Sequence, residues 1–198
     1  KVLHNPITVD SSGFRYNADN KEFAMIYVGR LDSIQKRIYR IIDVWQQLEW
    51  CHHEWNFTVV GEGAERASLI ELVRKKELKH VSFEGYQYPR PYYERASILL
   101  LTSDFEGFPL VLAECMSFGV VPVVYGSFSA VYDIIDDGKD GFIIPPTSRG
   151  FDACSMAKKI QILMNDKAKL DRMALSAIEK SKKFSMGRIY QQWMEIMK

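Results

Sequence analysis

Short, mostly apolar runs recur along this chain, and turn-forming residues and then a segment of helical period follow most of them. The runs are Phe23-Ala24-Met25-Ile26-Tyr27-Val28, Asn56-Phe57-Thr58-Val59-Val60, Val81-Ser82-Phe83-Glu84, Ile98-Leu99-Leu100-Leu101, Val120-Val121-Pro122-Val123-Val124 and Phe142-Ile143-Ile144. A strand apolar on both sides must be covered on both faces, and strands alternating with helices form a parallel sheet. The expected fold is therefore α/β: a doubly wound, mostly parallel six-stranded Rossmann-like sheet with helices on both faces and further helices at the carboxyl terminus.

The helical segments fall at about Lys36–Trp50, Ala64–Lys76, Tyr92–Ala96, Pro109–Phe118 and Ala130–Ile135. In the first, Ile38, Ile41, Ile42, Trp45 and Leu48 keep helical spacing. From Asp152 the pattern is helical to the end, with breaks near Asn165-Asp166 and Ser185-Met186-Gly187. Residues 1–22 read as linker and loop, 23–183 as the domain, and 184–198 as a closing helix. The chain begins at Lys1 without an initiator Met, as a fragment of a longer protein would.

The length of 198 residues suits one domain with a full core. A net charge of +1 gives no support to bulk nucleic-acid or acidic-membrane binding. The aromatic residues are scattered and read as core, with no base-stacking platform. Cys51, Cys115 and Cys154 are far apart, so neither a disulfide framework nor structural zinc is expected, and a reducing compartment fits. Cys115 and Cys154 stand in apolar helical contexts and read as packing. His4, His52, His53 and His80 have no partner at metal-ligand spacing, and His52-His53 reads as polar loop. Gly61-Glu62-Gly63 lacks the third glycine of a dinucleotide fingerprint and reads as a tight turn.

Leu99 to Glu114 carries the chemistry. The strand Ile98–Leu101 runs into Ser103, Asp104 and Gly107, and Pro109 suits a first helical turn. The N–H groups near Gly107 to Leu110 then point off the carboxyl end of a strand, where open α/β sheets bind ligands and a helix start attracts phosphate. Glu106 precedes that helix and Glu114 lies within it among apolar neighbours. Each alone has an ordinary explanation, a dipole-stabilising Glu106 and a solvent-facing Glu114. Arg30 leaves the first strand after Gly29, and Lys36 opens the next helix, so both can reach a ligand over the sheet edge. Arg37 and Arg40 read as a solvated basic face.

Together these residues resemble the carboxyl-terminal, donor-binding half of retaining glycosyltransferases of family 4, which have GT-B architecture. Glu106-Gly107-Phe108-Pro109-Leu110-Val111-Leu112-Ala113-Glu114 is similar to that family's E-x7-E signature, and Tyr27-Val28-Gly29-Arg30-Leu31 with Lys36 to its V-G-R-L…K segment. Val59–Gly63, Val81–Gly85, Asp137–Ile143, Asn5-Pro6-Ile7, Phe184-Ser185 and Trp193 match further parts, so the likeness covers essentially the whole chain. It implies that Arg30 and Lys36 hold the donor diphosphate, Glu106 the sugar hydroxyls and Glu114 the ribose. Backbone N–H groups of Gly107, Phe108 and Leu110, with Pro109 between them, would meet sugar and phosphate, and Gly85 and Tyr86 the base. It implies a nucleoside diphosphate sugar as substrate, with uridine ahead of guanosine, and neither cofactor nor metal. An absent amino-terminal domain would supply the site for a glycan or lipid-linked acceptor, so this part alone would transfer little. The whole protein would be cytoplasmic, at the inner face of a membrane. Arg30 and Lys36 stand one residue further apart than the family's usual spacing, which leaves Lys36 and Arg37 as alternatives for the phosphate contact. Two other readings stay open at this level: a non-catalytic nucleotide-binding α/β module, and an epimerase-like domain using the same donors.

Overall fold

A computed structural model describes residues 4–197. Six strands form one sheet: β1 (Ala24–Val28), β2 (Asn56–Val60), β3 (Val81–Gly85), β4 (Ile98–Leu101), β5 (Val121–Tyr125) and β6 (Phe142–Ile144). All are parallel, in the order β3-β2-β1-β4-β5-β6. The order reverses between β1 and β4, which leaves a crevice above their carboxyl ends. Helices α1 (Tyr39–Leu48), α2 (Arg66–Lys75) and α6 (Ala153–Asn165) pack together. Helix α3 (Arg90–Arg95) meets α4 (Leu110–Ser117) through Tyr93 and Phe118, and α4 packs on α7 (Lys167–Ser181). Helix α5 (Ala130–Ile134) and the terminal α8 (Met186–Ile196) complete the set. No helix among the described residues is long and apolar enough to cross a membrane.

The core follows from the apolar runs. Every residue of β4, β5 and β6 is buried, and the apolar stripe Ile41, Ile42, Trp45 and Leu48 of α1 is fully covered. The buried Glu49 ends that helix usefully. Its Oε1 accepts from the N–H groups of Lys79 (2.9 Å) and His80 (2.7 Å), which fixes the start of β3.

Some expectations need correction. Lys36 does not open α1. It sits in a turn ahead of the helix, which begins at Tyr39. Asp32 Oδ1 accepts from the N–H groups of Ile34 and Gln35, both at 2.8 Å, and Arg37 takes a left-handed φ of 51°. Pro109 is the residue flanking α4 rather than part of its first turn. Cys115 is buried but Cys154, near the start of α6, is exposed. His52 is buried. Several aromatics lie outside the core, among them Trp50, Tyr86, Tyr88, Phe105 and Trp193. Gly61-Glu62-Gly63 is no tight turn but an extended close approach. A Cβ on Gly61 would stand 1.8 Å from the Gly29 carbonyl oxygen, and one on Gly63 2.2 Å from that of Leu31.

The segment before β1 packs down on the domain. Ile7 N–H donates to Phe184 O (2.9 Å), and Lys21 Nζ donates to Tyr93 O (2.8 Å) and Ala96 O (2.9 Å) at the end of α3. Burial drives the Lys21 ammonium from 10.5 down to about 7, against the pull of Glu94. Between those values the unfolded chain holds a proton that the folded chain does not, so stability rises with pH across that window. Thermal melts are expected to show the melting temperature climbing from pH 7 toward pH 10. Lys21→Met is expected to flatten that rise, and a slope unchanged in the variant would show that another group is responsible.

Candidate functional site

The loops that leave β1 and β4 are sewn together. Thr102, fully buried at the end of β4, donates through Oγ1 to the carbonyls of Lys36 (3.3 Å) and Arg37 (3.1 Å). Arg40 Nη1 donates back to Thr102 O (3.0 Å), and Asp104 N–H donates to Gln35 O (2.9 Å). Ser127 Oγ adds a bond from the β5 side to Ser103 O at 2.6 Å. Arg37 and Arg40 are not a solvated face. Arg37 Nε meets Asp104 Oδ2 at 2.6 Å, and Arg40 Nη1 meets Oδ1 at 2.5 Å while the guanidinium lies over the Tyr125 and Phe151 rings. Burial works to raise the Asp104 carboxyl, but the bonds from Arg40 and Arg37 outweigh it and hold the group below its ordinary value.

On this platform stand three of the residues singled out in the sequence. Lys36 Nζ lies 2.6 Å from Glu106 Oε1, with the two side chains 17% and 8% exposed. Ser103 Oγ donates to the same oxygen at 2.7 Å. Gln35 Nε2 donates to Glu106 Oε2 (3.2 Å) and Phe105 O (3.1 Å), and its Oε1 accepts from Arg30 Nη2 (3.1 Å). Arg30 also pairs with Asp32 at 3.0 Å, and at 63% exposure its guanidinium is open to solvent. Below it, the buried Tyr27 hydroxyl donates to Arg30 O at 2.8 Å. Burial, then the charges of Glu106 and Asp32, push that phenol well above its ordinary value.

Arg30 also lines a pocket of about 310 Å³ at the carboxyl ends of β1, β2 and β3, with Gly29, Gly61, Glu62, Tyr86 and Gln87. Tyr86 is exposed and follows Gly85, whose φ is 73°. One edge therefore runs from Tyr86 through Arg30 and Gln35 to Glu106 and Lys36. Next to it the N–H groups of Gly107 and Phe108 make no hydrogen bond among the described residues, and the space around Gly107 Cα is open. The first two N–H groups of α4, those of Leu110 and Val111, make no hydrogen bond among the described residues, whereas Leu112 N–H donates to Pro109 O at 3.0 Å. A larger cavity, about 390 Å³, lies at the amino ends of β1–β3 among Asn56, Thr58 and Ser82. It is remote from the strand ends where such sheets bind ligands.

Glu114 is not solvent-facing. It is buried on α4 and accepts from Thr8 Oγ1 (2.5 Å) and Tyr93 OH (3.4 Å). Burial, then the Glu114 charge, raise the Tyr93 phenol. Among the described residues no hydrogen bond joins this pair to the Glu106 cluster, so the two glutamates sit in separate networks. Phe108 turns to the rings of His4 (5.1 Å) and Phe184 (5.6 Å) and anchors the loop. Sequence reasoning missed Gln35, Ser103, Asp104, Thr8 and Tyr93 as members of these networks. A polar residue close after a strand end was the only signal for Ser103 and Asp104, and Gln35, inside the turn before α1, gave none. Among the described residues no three His, Cys, Asp or Glu side chains are grouped to hold a metal ion.

The chain matches known proteins along most of its length. The family model for glycosyl transferases group 1 matches residues 10–181. The chain is 25% identical over 198 residues to a Campylobacter jejuni enzyme, GalNAc-alpha-(1->4)-GalNAc-alpha-(1->3)-diNAcBac-PP-undecaprenol alpha-1,4-N-acetyl-D-galactosaminyltransferase, covering 100% of itself and 54% of that protein. It is 30% identical over 152 residues to the lipopolysaccharide 1,6-galactosyltransferase of Escherichia coli K12, covering 73% of itself and 42% of the relative. It thus spans about half the length of these curated relatives. Its fold is shared with an S. aureus TarM variant crystallised with UDP, fondaparinux and alpha-GlcNAc-glycerol. That match has a TM-score of 0.86 and 23% identity, and it covers 98% of this chain and 38% of that one. A six-stranded parallel sheet, a cation–carboxylate cluster at its switch point and a family match over nearly the whole length converge on one assignment: this chain belongs to the group 1 glycosyltransferases.

Proposed function

We propose that this chain is the donor-binding half of a retaining family 4 glycosyltransferase, taking a nucleoside diphosphate sugar without a metal ion. The observation that carries this reading is the cluster of Arg30, Gln35, Lys36 and Glu106 beside the open start of α4. Arg30 and Lys36 bring positive charge to the diphosphate. As the glycosidic bond breaks, the departing nucleoside diphosphate gains negative charge, and fixed cations with a helix N-terminus stabilise it. Glu106 accepts from sugar hydroxyls, and the N–H groups of Gly107, Phe108 and Leu110, with Pro109 shaping the loop, meet sugar and phosphate. The base lies in the pocket at Gly85 and Tyr86. Glu114 takes the ribose by exchanging its bond from Thr8.

The S. aureus relative crystallised with UDP supports a uridine donor ahead of a guanosine one. The names of the C. jejuni and E. coli relatives support a glycan or lipid-linked acceptor. On this reading a further domain holds that acceptor, and the whole protein associates peripherally with a membrane on its cytoplasmic side. In calorimetry with UDP, Arg30→Ala and Glu114→Ala are each expected to weaken binding about tenfold or more, the range for a hydrogen bond to a charged group. A chelator is expected to change nothing. No binding of UDP or GDP at millimolar concentration by the unaltered chain would overturn the reading.

A further inference from the structure

Between the groups assigned to phosphate and to sugar stands one neutral side chain. Gln35 Oε1 accepts from the Arg30 guanidinium, while Nε2 donates to Phe105 O and Glu106 Oε2. Two acceptors at one end and a cation at the other select one orientation of the amide. Among side chains of its length no other does both. A carboxylate would hold Arg30 and repel Glu106, an ammonium the reverse, and an apolar group would hold neither.

The rest of the residue is fixed too. Gln35 N–H donates to Asp32 Oδ1 (2.8 Å), and its carbonyl accepts from Asp104 N–H (2.9 Å). Glu106 Oε1 already serves Lys36 and Ser103. Among the described residues Gln35 is the one side chain that donates to Oε2, so it sets the tilt of the carboxylate plane.

We propose that Gln35 is a positioning residue of the donor site, locking the Glu106 carboxylate in register with the Arg30 guanidinium. This rests on the donor-site reading above. It matters because a misplacement of about 1 Å near the reacting groups lowers rate by about 100-fold.

The test uses the full-length transferase that contains this chain. Gln35→Met is expected to lower kcat about tenfold, a partial displacement on that scale. Donor KM is expected to stay within about threefold, because Arg30 keeps Asp32. Gln35→Glu, the same size, is expected to lower kcat further. In a Glu106→Gln background, Gln35→Met is expected to cause no additional loss, as residues acting through one another are non-additive. Ile34→Ala, an exposed change in the same turn, is expected to keep wild-type kcat. An unaffected Gln35→Met, an equal fractional loss in both backgrounds, or a matching loss in Ile34→Ala would overturn the inference alone. Full transfer by Glu106→Gln would instead overturn the donor-site reading, and this inference with it.

Discussion

Lys36→Ala is expected to lower transfer by the longer protein by about 10²–10³-fold, the range for losing one preorganised electrostatic donor. UDP binding should weaken by about tenfold or more, while Arg37→Ala leaves it within about twofold. The difference lies in where the two cations are held. The Lys36 ammonium sits 2.6 Å from Glu106 at the edge of the site, whereas Arg37 Nε is bound to Asp104. Removing the amine also strands a carboxylate that is only 8% exposed, with Ser103 and Gln35 left as its donors. Stability should fall by about 1.5–3 kcal/mol, since an ionised group loses its charged partner. Removing Arg37 leaves Asp104 with Arg40. Calorimetry and thermal melts on the two variants check both parts. Wild-type UDP affinity in Lys36→Ala, or lost affinity in Arg37→Ala, would move the phosphate contact from Lys36 to Arg37.

Gly61→Ala should be the most damaging single methyl addition at the strand ends, with a loss of about 3–5 kcal/mol from overpacking and backbone strain together. The new Cβ would fall 1.8 Å from the Gly29 carbonyl oxygen, and φ at this position is 146°. Neither backbone can retreat. Gly29 N–H is bonded to Val60 O (3.0 Å), and Gly61 N–H to Gly85 O (2.7 Å). Arg30 follows Gly29 directly, so UDP binding should fail along with the ladder. Gly107→Ala is the control, because nothing lies within 4 Å of a Cβ built there. Denaturant melts of the two variants decide the matter. Equal stability would mean that the backbones of β1 and β2 separate more easily than their hydrogen bonds imply.

Local pattern made most of the fold legible. The limits of β2, β4 and β6 agree with the apolar runs, each of which stops where its apolar pattern stops, before Gly61, Thr102 and Pro145. The start of α1 was not legible. Ile38 keeps the helical period, but the Asp32 side chain and the left-handed Arg37 hold the chain out of the helix, and periodicity does not register such bonds. Cys154 shares apolar neighbours with Cys115, yet sits at the outer face of its helix start. The site divides in the same way. Glu106, Arg30 and Lys36 stood out because each follows a buried strand. The bond of Lys36 to Glu106 crosses about 70 positions of sequence, Arg30 is tied to Glu106 only through Gln35, and both links exist because β1 lies beside β4. The same holds for Asp104 with Arg37 and Arg40, and for Glu114 with Thr8 and Tyr93, so spacing alone misassigned the two arginines and could not name the partners of Glu114.

The stitching of the two loops through Thr102, Gln35, Arg40 and Asp104 has a thermodynamic consequence. Freezing a residue's backbone costs about 1–2 kcal/mol of entropy, and here that loss is taken during folding. An incoming molecule settles on a surface already stiff, so its contacts register in affinity without deduction for ordering the chain. The same stiffness narrows adaptation: accommodating a differently shaped sugar requires exchanging side chains, since the loops themselves have little room to bend.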